Sequence, residues 1–180
     1  GMNADMMSLR SIETKHLIKS GLEKERVSNP FFYFMAEKNS FSLKGKLTPI
    51  GVAFYIAPLV NAMTRSGTQD EKILMFKSML KHEAFKRVPS TKRGYKIGEE
   101  ERIVDQALRV ATNVKSRQTK SQVAGMEVLE KMIETNNLLE SKVMLFLCEP
   151  GTVPRSIAGL VANKFMAKYQ RPVAVLFKGE

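Results

Sequence analysis

Eleven lysines and arginines lie between residues 81 and 120 of this 180-residue chain, against five acids, so this stretch alone carries +6 of a net +11. Lys115, Arg117 and Lys120 sit in its most polar part, "NVKSRQTKSQ". Cations at this density point to polyanionic partners. A solvated surface would produce the same charge, and composition alone does not separate the two readings. Phe85 and Tyr95 flank the basic loop "KRVPSTKRGYKIG". They are either stacking platforms for unpaired bases or core anchors.

Other chemistry is conspicuous by what the residues omit. His16 and His82 are the two histidines, and neither has His, Cys or Asp at metal-ligand spacing, so both read as surface residues. There is no phosphate-cradling P-loop, no GxGxxG, no CxxC and no GxSxG. The single cysteine, Cys148, lies in an apolar run and reads as a small core residue of a protein from a reducing cytoplasm. No run approaches the ~18 apolar residues of a membrane span. On its residues alone, the chain holds no complete active site.

The elements that must position these cations are mostly helical. "IETKHLIKSGL" (12–22) is amphipathic and ends near Gly21. Asn29 or Ser28 caps a helix with Pro30 at its first position. "LTPIGVAFYIAPLVNAMTR" is apolar almost all round, which predicts a buried helix bent or broken by Pro58. Thr68 and Glu71 have capping-box spacing. Residues 86–98 read as an exposed loop. From Glu99 to about Thr135 the pattern predicts one helix of roughly 55 Å, with a polar waist at 113–122 where it bridges two bodies or breaks.

The period then changes. Residues 143–148 form a continuous apolar run, expected of a strand buried on both faces. A loop, a helix over 157–169 and the apolar "RPVAVLF" complete a βαβ unit with parallel strands. The fold class is therefore mixed α+β. A helical region (1–98) leads to a connecting helix (99–135) and the start of a parallel α/β lobe (136–180), truncated after two strands.

Three stretches, in order, resemble RecJ-type single-strand-specific exonucleases of the DHH phosphoesterase superfamily. "NADMMSLRSIETKHLIKSGL" looks like the segment closing that family's catalytic domain. "YIAPLVNAMTRSG" resembles its Gly-Pro-Arg-Ile-Asn-Ala-Ala-Gly-Arg motif. "IAGLVANKFMAKYQRPVAVL" is similar to the Gly-Ile-Val-Ala…Arg-Pro block that opens its second domain. The resemblance implies an internal fragment. The Asp-His-His motif would precede residue 1, and the Gly-Gly-His motif would follow residue 180.

It also implies roles. Asp5 falls on a metal-binding aspartate, with Mn2+ or Mg2+ bound in the intact protein and no metal expected in this piece. Asn61 and Arg65 match the Asn and final Arg of the second motif, and Arg65 is the foremost candidate for a strand-phosphate contact. Leu59 replaces that motif's first Arg. Pro154, Arg155 and Ser156 replace the His-Pro-Gly before the third block, where Arg155, Ser156 and the following helix N-terminus would make an anion site. Gly159 is expected to allow close helix–sheet packing. The partners implied are single-stranded DNA and the missing catalytic domain in cis, with no membrane. Two other readings remain open at this point: a phosphodiesterase for short oligonucleotides or cyclic dinucleotides, and a non-catalytic nucleic-acid-binding helical scaffold.

Overall fold

The computed structural model describes residues 7–8, 10–23 and 27–179. They form two compact units, Gly1–Lys115 and Ser116–Glu180, and the boundary falls inside one continuous helix.

In the first unit, α1 (Ile12–Gly21) is capped by Ser11, whose hydroxyl accepts from the Thr14 N–H. The side-chain oxygen of Asn29 accepts from the Phe32 N–H at the start of α2 (Pro30–Lys38). The Asn29 amide also donates to the Met79 carbonyl at 3.2 Å, tying α2 to the end of a later helix. Short helices α3 (Ser40–Leu43) and α4 (Pro49–Gly51) follow.

Pro58 was expected to bend or break the next helix; it distorts the turn before it without breaking the chain of helical residues. A π-helical turn over Val52–Ile56 leads directly into α5 (Ala57–Ser66), with the Ala57 N–H reaching back five residues to the Val52 carbonyl. Proline clashes with the carbonyl four residues earlier; the wider turn relieves that clash and the chain stays helical. The expected all-round burial is also corrected. Ile56, Ala57, Ala62 and Met63 are buried, but Ile50 and Phe54 are about 70% exposed. Only one stripe of this segment meets the core.

Helix α6 (Gln69–Met79) begins with a full capping box: the Glu71 N–H donates to the Thr68 hydroxyl, and the Thr68 N–H donates to the Glu71 carboxylate at 2.7 Å. Replacing Thr68 with alanine is expected to cost about 1 kcal/mol, read as a lowered midpoint in a thermal melt. An unchanged midpoint would mean the cap is energetically idle.

After α7 (Lys81–Ala84), a short hairpin takes in the segment read as a loop and the first residues read as the long helix. β1 (Arg87–Pro89) pairs antiparallel with β2 (Glu100–Arg102), Val88 opposite Glu101. The long helix α8 therefore starts at Ile103, not Glu99, and runs unbroken to Thr135. The expected waist is not uniformly solvated, because Gln118 is buried. Phe31, Met35, Ala62 and Met63 pack with Val104, Ala107, Ala111 and Val114 to form the first core.

In the second unit, the end of α8 contributes Leu129 and Ile133 to a core with β3 (Met144–Cys148), α9 (Ala158–Tyr169) and β4 (Val173–Phe177). The two strands are parallel, Met144 opposite Val173 and Cys148 opposite Phe177, as the βαβ reading requires. Their burial differs from expectation. Met144, Phe146 and Cys148 face the core, whereas Leu145 and Leu147 are about half exposed, so β3 is buried on one face only. Burial raises the Cys148 thiol pKa, consistent with an unreactive core residue. Gly125 on α8 has a packing reason: a Cβ there would meet the Val153 side chain at 3.2 Å, so glycine lets the loop after β3 lie close. Gly159 has no such reason. Space is open around it, and the close packing expected there is absent. Among the described residues no helix is long and apolar enough to cross a membrane.

Candidate nucleic-acid interface

The cations of the first unit fall into structural and exposed sets. Glu101 on β2 is buried, and its Oε1 accepts from the Thr91 N–H at 3.0 Å, from the Gln106 amide at 3.1 Å and from the Arg109 guanidinium. Gln106 also donates to the Pro89 carbonyl, and Arg109 to the Thr91 carbonyl and hydroxyl. Lys92 lies 4.0 Å from Glu101 Oε2, although that oxygen and Arg109 Nε make no hydrogen bond. Burial works to raise the Glu101 pKa, but the hydrogen bonds from Thr91, Gln106 and Arg109 outweigh it, so the carboxyl titrates below its usual range. This network pins the base of the basic hairpin to α8.

Arg109 is thus a structural cation. Sequence reading missed this network. The available signal was Gln106, a polar residue within the apolar stripe of Ile103, Ala107 and Val110.

Other charges in the stretch are also partnered: Lys86 with Glu83, and Arg102 with Asp105 through two hydrogen bonds of 2.7 and 2.9 Å. On α5 the picture is different. Asn61 and Arg65 are four residues apart, so they share a helix face, and both are exposed. Arg65 sits in the last turn, where a cation complements the helix dipole. Leu59, at the position where the resembling motif has arginine, packs against the first core.

The proposed track on α8 divides by helix geometry. Arg117 and Lys120 are exposed and three residues apart, hence neighbours on one face. Lys115 is half-buried and, at about 100° per residue, points well away from both. The structure therefore brings Arg117 and Lys120 together and leaves Lys115 apart from them.

In the second unit a cleft of about 330 Å³ opens just past the C-terminal ends of β3 and β4, lined by Pro150, Gly151, Val153, Pro154, Arg155, Phe177 and Lys178. Ligands of parallel α/β sheets favour that edge. Arg155 is exposed and lies over the Phe177 ring, 5.3 Å from its centre. Lys178 pairs with Glu149. Ser156 is exposed in the 3₁₀ turn Arg155–Ile157, where the Ile157 N–H is taken by the Pro154 carbonyl. The cleft thus offers one aromatic-backed guanidinium, with fewer free amides than an open helix N-terminus.

No protein-family model matches the chain. A Bacillus subtilis (strain 168) protein bearing the name SPbeta prophage-derived single-strand DNA-specific exonuclease YorK is 33% identical to it over 174 residues. The match takes in 96% of this chain and 29% of YorK. Its counterpart in Bacillus phage SPbeta matches equally. Among solved structures, manganese-bound exonuclease RecJ superposes with a TM-score of 0.64 at 20% identity, over 92% of this chain and 36% of that one. The fold of the chain is similar to that part of RecJ. RecJ from Thermus thermophilus with Mn2+ gives a TM-score of 0.62 at 18% identity, over 92% of this chain and 21% of its own.

The chain spans about 29% of the length of the curated relatives it matches. Its described residues do not fit a two-metal centre. Among them no three His, Cys, Asp or Glu side chains come together, and Asp5 lies outside the described residues.

Proposed function

We propose that this chain is the strand-holding and linking segment of a metal-dependent phosphodiesterase that degrades single-stranded DNA. The observation that carries the reading is the match along 96% of the chain to a protein named as a single-strand DNA-specific exonuclease. The net charge of +11 supports it, since a single-strand groove needs cations along its length. In this reading Arg65 and Asn61 hold the strand at the first unit. Arg117, Lys120 and Arg155 with Ser156 hold it at the second, and Lys115 contributes less because it points elsewhere. Hydrolysis, with Mn2+ or Mg2+ as in the solved RecJ structures, belongs to residues outside these 180, so this piece alone binds without cutting. The work is done in the cytoplasm, on the DNA ends that repair and recombination generate.

Fluorescence anisotropy of a labelled oligonucleotide tests the binding. Affinity is expected to fall with salt, and Arg117→Ala and Lys120→Ala should each reduce the slope of log K against log[salt] by about 0.7 per lost phosphate contact. Binding that is undetectable at low salt, or indifferent to salt, rules the reading out.

A further inference from the structure

We infer that the three-ring cluster of Tyr33, Phe34 and Phe85 is a seat for an unpaired nucleobase, an inference that rests on the strand-binding reading. Phe34 is the hub. The Tyr33 ring meets it edge-on at 5.3 Å and 89°, and the Phe85 ring meets it at 6.0 Å and 73°. The Arg102 guanidinium covers Phe34 at 4.7 Å from the ring centre and is itself held by Asp105. Phe34 is therefore immobilised on several sides, and it fixes its two neighbours.

Those neighbours are not core residues. Phe31, on the same helix, is fully buried, whereas Phe85 is 50% exposed and Tyr33 39%. Edge-on packing leaves ring faces uncovered, and an uncovered face held rigid is what a flat base stacks upon. A cleft of about 310 Å³, at the small end of ligand-site volumes, lies beside them, lined by Val27, Pro30, Lys81 and the three rings.

Charge selects the occupant. The lining holds a lysine and no carboxylate. Lys81 and Arg87, both exposed, have no acidic partner among the described residues, while Lys86 is already paired with Glu83. An apolar peptide would need none of these cations; a nucleotide uses a ring face for its base and a nearby cation for its phosphate. Stacking rather than hydrogen bonding predicts tolerance of base identity.

The test compares oligo-dT with an abasic oligonucleotide of equal length on the 180-residue chain, titrated by anisotropy across salt concentrations. Phe85→Ala should weaken oligo-dT binding roughly five- to 150-fold, leave the abasic affinity unchanged and leave the salt slope intact, while Phe85→Trp restores binding. Tyr33→Ala is the second variant should Phe85→Ala fail to fold, with the same expectation. If both alanine variants bind both oligonucleotides as the wild type does, or lose the two equally, the base seat is overturned and strand binding stands. If the wild type binds neither, the strand-binding reading falls and the seat falls with it.

Discussion

Replacing Glu101 with alanine is expected to lower the stability of the chain by about 3–5 kcal/mol, the cost of removing one partner from a buried ion pair. The loss is large because three donors converge on that carboxylate: the Thr91 N–H, the Gln106 amide and the Arg109 guanidinium. Alanine leaves the partly buried Arg109 guanidinium without its carboxylate. Glu101→Gln keeps an acceptor of similar shape and loses only the charge, so it should fall between alanine and wild type.

The same network fixes the acid response. The folded-state pKa of Glu101 lies below its unfolded value, so its stabilisation is present above the ordinary carboxylate range and disappears as pH falls through the folded pKa. Thermal melts followed by circular dichroism should show the wild-type advantage over Glu101→Ala shrinking from neutral pH toward about pH 3. An advantage constant across that range would show that shape, rather than charge, holds the hairpin.

That hairpin also shows where the sequence stopped being informative. The capping box at Thr68 and Glu71, the end of α8 at Thr135 and the parallel βαβ unit were all legible, because each rests on local spacing or on a change of apolar period. The strands β1 and β2 are three residues each and carry no apolar alternation. What makes them a hairpin is the burial of Glu101 against Gln106 and Arg109, a contact with a helix that follows. At Pro58 the sequence marked the place of a distortion but not its form, a π turn. The apolar run of β3 suggested burial on both faces because Leu145 and Leu147 are as apolar as Phe146, and only the fold shows which of them face the core.

Site residues divide in the same way. Asn61 and Arg65 were singled out by the resembling motif, and Arg117 and Lys120 by the polar waist; helix spacing then puts each pair on one face. Lys115 was grouped with the latter by proximity in sequence, and helix geometry separates them. Arg155 was expected to serve a helix N-terminus; its contact with Phe177, 22 residues away, was invisible until β4 was laid beside β3. Tyr33 and Phe34 are consecutive residues of α2, and the meeting of Phe34 with Phe85 depends on the packing of the helices around them.

The second large effect is expected at Phe165. Its ring is fully buried, tilted against Phe146 at 5.4 Å and stacked on Tyr169 at 5.8 Å with 7° between planes. Phe165→Ala should cost about 3–5 kcal/mol through lost burial and the cavity left behind. The unit around it has little in reserve. Two strands do not hold a sheet together by themselves, and the core consists of one crossover helix, the end of α8 and the inner face of β3 and β4. Loss of this ring should therefore loosen the whole unit, exposing the amides of Phe146 and Cys148 to hydrogen exchange and dispersing the Arg155 cleft. Leu145→Ala is the matched control, on the open face of the same strand, and should cost less than about 1 kcal/mol. Equal losses for the two variants would mean that α9 does not organise this sheet, and that the position of Arg155 has some other cause. A large stability loss for Phe165→Ala but not Leu145→Ala, accompanied by weaker oligonucleotide binding by Phe165→Ala, would tie the second unit's packing directly to its share of strand binding.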